Sequence, residues 1–122
     1  MKENRPKTIF CDIDGTLVEQ NTAATNASIQ YTLILLPGTA EKLEEWDRNG
    51  YNIILTTGRK ESMRYATEKQ LRKAGIYYDQ LIMGIGGGKR YLVNNRKKGS
   101  DENYATAINL DFDEGINNII LS

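Results

Sequence analysis

An apolar run that ends in two closely spaced carboxylates constrains the fold of this chain more than any other feature. Residues 7–13 are rich in β-branched and aromatic side chains, which is typical of a short buried strand. Asp12 and Asp14 stand at its end, and Gly15 follows at once. In open α/β sheets, ligands bind outside the carboxyl ends of the strands. The stretch therefore predicts a buried strand that delivers two carboxylates to one edge of a sheet.

The rest of the chain alternates between strand and helix patterns. Apolar residues at helical spacing predict helices over 40–49 and 60–74, each followed by a glycine. Apolar runs bounded by turn residues predict further strands at four places: 51–57, 78–83, 91–95 and, more weakly, 105–110. Strands that alternate with helices indicate right-handed crossovers and a mainly parallel sheet. The predicted fold class is α/β.

Three local features are also predicted. Thr39 follows a Pro-Gly turn and is expected to cap the first helix. Glu68 and Arg72 are four residues apart in the second helix and are expected to form an ion pair. The apolar run 31–36 fits either an extended flap or a strand, because periodicity does not separate the two.

Composition narrows the chemistry that such a fold can support. The chain has 122 residues, enough for one domain with its own core, and 16 basic residues balance 16 acidic ones. We therefore expect no nucleic acid and no membrane as partner, and no apolar run is long enough to span a bilayer. A single cysteine excludes an internal disulfide, so a cytoplasmic location is expected. Because the chain has no histidine, catalysis would use carboxylates, hydroxyls, amines or a hard metal ion.

Two carboxylates at one strand end favour a divalent cation. A charge inside a buried strand is costly unless it binds something, and no basic residue stands beside Asp12 or Asp14. Carboxylate oxygens suit Mg²⁺, which commonly sits between one or two carboxylates and phosphate oxygens. One carboxylate can then attack phosphorus while the other handles the proton of the leaving group. The alternative is that the two residues only shape a surface turn.

Polar residues also follow the second predicted strand. Thr57, or its neighbour Thr56, could hold a phosphate oxygen at the point where Gly58 lets the chain turn into a helix. The alternative is that Thr57 caps that helix and binds no ligand.

Near the predicted fourth strand, the chain supplies a positive charge and amide oxygens. Lys89 lies in a glycine-rich loop and could neutralise phosphate charge, although Arg90 competes for the role and either side chain could simply be solvated. Asn94 and Asn95 would present uncharged oxygen atoms at the tip of the strand.

These motifs occur in the order of a known family. The run from Asp12 to Thr16, Asp-Ile-Asp-Gly-Thr, resembles the first signature of the haloacid dehalogenase (HAD) superfamily of Mg²⁺-dependent phosphohydrolases. Thr57 is similar to the second signature, Lys89 to the third, and 94–95 falls where the fourth should be. The resemblance implies one three-layer, Rossmann-like domain over 1–122 with a mainly parallel sheet and no cap domain.

The resemblance is limited to part of the chain. It covers a core of about residues 7–95 and leaves the tail 96–122 without a predicted structure.

The resemblance also implies roles for individual residues. Asp12 would be the nucleophile and a ligand of Mg²⁺, and Asp14 the general acid/base, with its backbone carbonyl on the metal. Thr57 and Gly58 would bind the phosphoryl group, and Lys89 would hold Asp12 and the phosphate in place.

The chain departs from the family at the fourth signature. Relatives usually carry Asp there, whereas this chain has Asn94 and Asn95, of which Asn95 is the expected metal ligand. An amide carbonyl can coordinate Mg²⁺ but adds no charge, so weaker metal binding is expected. Asp101 would compensate only if its loop folded back.

The implied function is that of a small, cap-less phosphomonoesterase acting through an aspartyl-phosphate on a phosphorylated small molecule, such as a sugar phosphate. The alternative is a degenerate domain with weak or no turnover that binds phosphate ligands or a protein. The apolar segments 31–36 and 119–121 are candidates for self-association into a homo-oligomer, or they complete the core of the monomer.

Overall fold

A parallel sheet forms the centre of the described structure. The computed structural model describes residues 5–22 and 30–121, so parts of the predicted domain 1–122 lie outside it. Within those ranges the sheet contains β1 (Thr8–Asp12), β2 (Asn52–Thr56) and β3 (Gln80–Ile82), in that order across the sheet. Both pairings are parallel, so the predicted α/β fold with a parallel sheet is confirmed.

Helices connect the strands. Helix α1 (Thr39–Arg48) stands between β1 and β2 in the chain, and helix α2 (Arg64–Lys73) stands between β2 and β3 after a 3-10 turn at Glu61–Met63. Among the residues that the structure describes, no helix is long and apolar enough to cross a membrane.

The register brings the carboxyl ends of the strands to one edge of the sheet. Asp12 pairs with Thr56 across β1 and β2, and Thr56 pairs with Ile82 across β2 and β3. Adjacent strands lie about 4.8 Å apart, so side chains that follow these residues are close neighbours.

One hydrophobic core joins the sheet, the helices and the tail. Its fully buried members include Ile13, Leu43, Leu55, Leu71 and Ile116. The tail, for which no structure was predicted, thus contributes to the hydrophobic core a side chain with no exposed surface.

The predicted cap of α1 is wrong. Gly38 occupies the N-cap position, and Thr39 is the first helical residue. Its hydroxyl instead donates a 2.6 Å hydrogen bond to the carbonyl of Leu17. The side chain thus anchors α1 to the loop that follows β1.

The predicted ion pair of α2 also differs. Glu68 accepts a hydrogen bond from Arg64 at 3.4 Å, one turn towards the N-terminus, and not from Arg72. Arg72 is left without a carboxylate partner in the described part of the chain.

The fourth and fifth predicted strands are wrong. Residues 91–95 and 105–110 have no regular secondary structure, and Tyr91 and Val93 are 83% and 92% exposed. A strand exists only when a neighbour satisfies its backbone groups, and the glycine-rich loop 84–88 does not direct the chain to one. Asn95 therefore does not stand at a strand tip.

The run 31–36 forms none of the strands of the sheet. Leu35 makes an isolated antiparallel bridge to Val18. Leu33 and Leu36 are buried, whereas Ile34 is 48% exposed. The segment thus completes the core with one side and leaves the other exposed.

The tail crosses the turn that follows β1. The backbone N–H of Asp113 donates to the carbonyl of Gly15 at 3.0 Å, and that of Ile116 donates to the carbonyl of Pro37 at 3.0 Å. A Cβ atom on Gly38 would lie 2.5 Å from the Cα of Asn117. A glycine at that position is therefore required for the tail to dock.

Candidate active site

Asp12 ends β1 as a half-buried carboxylate. Burial raises its pKa above the ordinary value, and the negative charge of Asp14 acts in the same direction. The positive charge of Arg90 and a hydrogen bond from the N–H of Ile13 lower the pKa without cancelling the effect of burial. A bound cation would relieve this cost, because it would stabilise the charged form.

Asp14 is held by a bidentate ion pair. Nη2 of Arg59 donates to Oδ1 of Asp14 at 2.9 Å, and Nε donates to Oδ2 at 3.1 Å. The side chain of Arg59 is only 3% exposed, and that of Asp14 is 12% exposed. Two parallel hydrogen bonds fix the plane of the carboxylate as well as its position.

Arg59 is in turn held by helix α2. Its Nη1 donates to the hydroxyl of Thr67 at 3.2 Å and to Oε1 of Gln70 at 2.6 Å. Both partners are fully buried. The guanidinium therefore links the turn after β1 to the buried face of α2.

Sequence reasoning assigned no role to Arg59. Thr67 and Gln70 could have indicated its role, because they are polar residues on the buried face of α2. Buried polar side chains need hydrogen-bond partners, and an arginine just after β2 is a suitable donor.

Thr57 lies just after β2 and is enclosed. It is 1% exposed, and its hydroxyl oxygen accepts a 3.1 Å hydrogen bond from the backbone N–H of Arg59. Thr56, which pairs with Asp12, is the more exposed of the two threonines. The structure thus brings both hydroxyl residues to the edge that carries the two carboxylates.

Gly58 admits the segment that follows β3. A Cβ atom at this position would lie 3.0 Å from the carbonyl of Ile85. In the same segment, the N–H of Gly84 donates to the carbonyl of Arg59 at 2.8 Å. A side chain at position 58 would push this segment away from the strand ends.

The remaining predicted residues lie in the irregular segment beyond β3. Lys89 is exposed, and its neighbour Arg90 is the basic residue whose charge acts on Asp12. The side-chain amide of Asn94 donates to the carbonyl of Asn95 at 3.1 Å, and both residues are exposed. Asp101 is exposed as well. The structure therefore groups Asp12, Asp14 and Thr57 at the sheet, and it supplies the positive charge near Asp12 from Arg90.

The donor set fits Mg²⁺ only in part. Within residues 5–22 and 30–121, no group of three or more acidic, cysteine or histidine side chains is arranged to hold a metal. Mg²⁺ often uses one or two carboxylates and takes its other ligands from water and substrate phosphate. Asp12 fits that mode, whereas the carboxylate of Asp14 already accepts two hydrogen bonds from Arg59.

Cys11 is not a candidate nucleophile. It is buried beside Asp12, and burial raises the pKa of its thiol to about 12, with a smaller contribution from the charge of Asp12. The reactive form of cysteine is the thiolate, which is scarce under these conditions.

The comparisons with known proteins bear on the fold more than on the reaction. No protein-family model and no curated protein matches the chain. Two solved structures of a Pnkp1/Rnl/Hen1 complex, one described as an RNA repair complex, each contain a chain that is 33% identical to this one at a TM-score of 0.55. The similarity covers 74% and 70% of this chain but 32% and 28% of the other chains. This chain thus spans about a third of their length.

Two more distant structures were also found. A protein from Vibrio cholerae is 21% identical at a TM-score of 0.52, over 72% of this chain and 79% of that chain. A D,D-heptose 1.7-bisphosphate phosphatase from B. bronchiseptica, complexed with magnesium and phosphate, is 19% identical over 66% of this chain and 51% of that chain. Its TM-score of 0.46 is too low to transfer any chemistry. Together with the parallel sheet, the similarities above a TM-score of 0.5 support a Rossmann-like α/β fold.

Proposed function

We propose that this chain is a HAD-type phosphomonoester hydrolase that uses Mg²⁺ and acts through an aspartyl-phosphate on Asp12. The observation that carries the proposal is the pair of carboxylates at the end of β1, of which Asp14 is fixed by the buried guanidinium of Arg59. Such a pair can divide the work of the transfer, with one carboxylate attacking phosphorus and the other handling a proton.

The proposed reaction has two steps. A carboxylate oxygen of Asp12 attacks phosphorus and the bond from phosphorus to the leaving oxygen breaks. Asp14, which must carry a proton on an oxygen released from Arg59, donates that proton to the leaving oxygen. Water then attacks the phosphorus of the aspartyl-phosphate and gives up a proton to Asp14, which releases inorganic phosphate and restores Asp12. When bound, Mg²⁺ supplies positive charge against the phosphoryl oxygens.

Neighbouring groups support the transfer. Arg90 acts electrostatically on Asp12 and would offset charge on the phosphoryl group, a role that the sequence assigned to Lys89. Thr57 and Gly58 would bind a phosphoryl oxygen, and Asn95 would contribute to the metal site once substrate is bound. These roles are proposals that rest on position in the chain.

The absence of an acidic residue at the fourth family signature favours a second candidate function. A domain with Asn94 and Asn95 in place of acidic residues, and with both exposed, could bind phosphate ligands with weak or no turnover. The two candidates differ in rate and not in the ligands that they recognise.

The 33% identity to a chain of an RNA repair complex bears on the substrate. It favours the phosphorylated end of a polynucleotide over the phosphorylated metabolite that the sequence suggested. Both remain within the chemistry of a phosphomonoester.

Phosphate release from a generic aryl phosphate tests the proposal. We expect Mg²⁺-dependent release by the wild type and a loss of at least about 100-fold in Asp12→Asn, because the amide is not a nucleophile. Asp47→Asn on the exposed side of α1 is the matched control and should keep the wild-type rate. Wild-type rates in Asp12→Asn would rule out the assignment, whereas a rate near zero that Asn95→Asp restores would favour the second candidate.

A further inference from the structure

We propose that the exposed face of α2 binds the backbone of single-stranded nucleic acid. This face, called here the basic stripe, consists of Tyr65, Lys69, Arg72 and Lys73. The spacing of four, seven and eight residues from Tyr65 places all of them on one side of a helix. The inference rests on the polynucleotide substrate considered above and extends it to a second contact surface.

The basic stripe carries positive charge that no carboxylate neutralises among the residues described. Lys69 Nζ lies 5.4 Å from the centroid of the Tyr65 ring. Lys73 Nζ donates to the carbonyl of Gln30 at 3.4 Å. Glu68, the acidic residue of this helix, borders the basic stripe but is paired with Arg64 at 3.4 Å. Three cations therefore face solvent within two turns of helix, in a chain whose formal net charge is zero.

The surface has the residue types of a stacking platform. The four residues line an open cleft of about 400 Å³, and Tyr65 is 68% exposed. Proteins that bind single strands combine a positively charged groove with aromatic rings on which bases stack. The Tyr65 ring, with Lys69 over one face and two further cations on the same side of the helix, provides both elements, whereas a small phosphorylated metabolite would need neither.

The basic stripe lies across α2 from the proposed reaction centre. The opposite face of the helix holds Arg59 through Thr67 and Gln70. A helix with its side chains is about 10–12 Å across, so a strand bound at the basic stripe runs about one helix diameter from this network. A polynucleotide can reach both places, and a mononucleotide cannot. The basic stripe should therefore affect long substrates and leave short ones unchanged.

Fluorescence anisotropy with labelled single-stranded RNA and DNA that lack a terminal phosphate tests the surface alone. Each strand should be longer than the roughly 4–16 nucleotides that a single-strand module covers. Three cations predict that log K falls with log[salt] at a slope of about −2, since each neutralised phosphate contributes about −0.7. In Lys69→Ser/Arg72→Ser the slope should become shallower, at about −0.7, because one cation remains. The affinity should drop at least about tenfold at low salt. Tyr65→Ala should weaken binding about fivefold or more.

The matched control removes the same two residue types from another helix. Lys42→Ser/Arg48→Ser changes the net charge equally but leaves α2 intact. It should keep both the affinity and the salt slope of the wild type. Equal losses in the two double variants would overturn the proposal, because they would show a dependence on net charge alone. Absence of oligonucleotide binding, or binding only to vesicles of anionic phospholipid, would overturn it as well.

Two further measurements separate this inference from the proposed hydrolase. Asp12→Asn should bind the unphosphorylated strands like the wild type, and Lys69→Ser/Arg72→Ser should release phosphate from an aryl phosphate at the wild-type rate. A chain that binds strands through the basic stripe but hydrolyses nothing would contradict only the proposed function. A chain that hydrolyses aryl phosphate and ignores the strands would contradict only the proposal made here.

Discussion

Arg59 organises the candidate site at the scale of single residues. Its side chain is 3% exposed, and its guanidinium contacts a carboxylate from the turn after β1 and two polar side chains of α2. Moving such a charge out of water is costly, and only good geometry with further hydrogen bonds repays the cost. The bidentate contact with Asp14 and the bonds to Thr67 and Gln70 meet that condition. The position of Asp14 therefore depends on α2 as well as on β1.

Removing the guanidinium should be strongly destabilising. In Arg59→Met, the carboxylate of Asp14 stays nearly buried without its partner, so the free energy of unfolding should fall by about 3–5 kcal/mol. Arg48→Met is the control, since Arg48 and Glu44 form a pair with both side chains about two-thirds exposed, and it should cost less than about 1 kcal/mol. Urea unfolding measures both. Similar losses in the two variants would show that Arg59 does not hold the site together.

The buried thiol of Cys11 should make the stability of the folded protein depend on pH. Because the pKa of Cys11 in the folded protein is raised from 9.0 to about 12, the folded state holds the thiol proton where the unfolded chain releases it. Stability contributed by this group is thus fully present below about pH 9 and is lost as the pH rises towards 12. At about pH 8, iodoacetamide should modify the urea-unfolded chain quickly and the native protein at least about 100-fold more slowly. Rapid labelling of the native protein would contradict the assigned burial.

The local sequence pattern predicted where three candidate site residues lie, while their chemical roles stay predictions. Asp12, Asp14 and Thr57 follow apolar strands, and the structure places them at one edge of the sheet. Arg59 could not be recognised in the same way, because its role comes from contacts with residues 8 and 11 positions further along the chain. Arg90 acts on Asp12 from an irregular loop, for which no periodicity exists to guide a prediction.

At the scale of elements, the tail and the start of α1 depend on each other. Gly38 caps α1 with a φ of 87°, and the backbone of Asn117 passes directly against it. Gly115 has a φ of 92° and lies against Pro37 in the same way. Two glycines therefore create the close backbone contact that lets Ile116 enter the core.

Gly38→Ala tests this contact against a matched glycine of the same helix. Gly50 follows α1 with a φ of 78°, and a Cβ atom there would meet nothing within 4 Å. Gly50→Ala should therefore cost only the backbone term of about 1–2 kcal/mol. Gly38→Ala adds a clash with Asn117 and should cost at least about 1 kcal/mol more in urea unfolding. Equal costs would mean that the tail does not dock at this place.

Elements with strong local signals were predicted well, and those without a pairing partner were not. Strand β2 and helix α2 were recognised from apolar periodicity to within a few residues at each end. The predicted strand at 91–95 rested on an apolar run alone, and such a run becomes a strand only if a neighbour accepts its hydrogen bonds. The side chains of Tyr91, Leu92 and Val93 are instead exposed.

At the scale of the whole molecule, the tail covers the turn that carries the candidate site. Phe112 lies against Gly15, and the carboxylate of Asp113 accepts a hydrogen bond from the N–H of Gln20 at 3.2 Å. Self-association stays a prediction, because 31–36 and 119–121 each direct some apolar side chains to the core and leave others, such as Ile120, exposed. The absence of a cap domain stays a prediction as well, since residues 23–29 lie outside the described part of the chain.

Trapping the covalent intermediate tests the central claim most directly. Wild-type protein mixed with an aryl phosphate and Mg²⁺ is quenched in acid, digested and analysed by mass spectrometry. We predict a phosphoryl group on the peptide that contains Asp12, which hydroxylamine removes because it is an acyl phosphate, and no such adduct in Asp12→Asn. A phosphoryl group on another residue, or phosphate release from Asp12→Asn at the wild-type rate, would contradict the account.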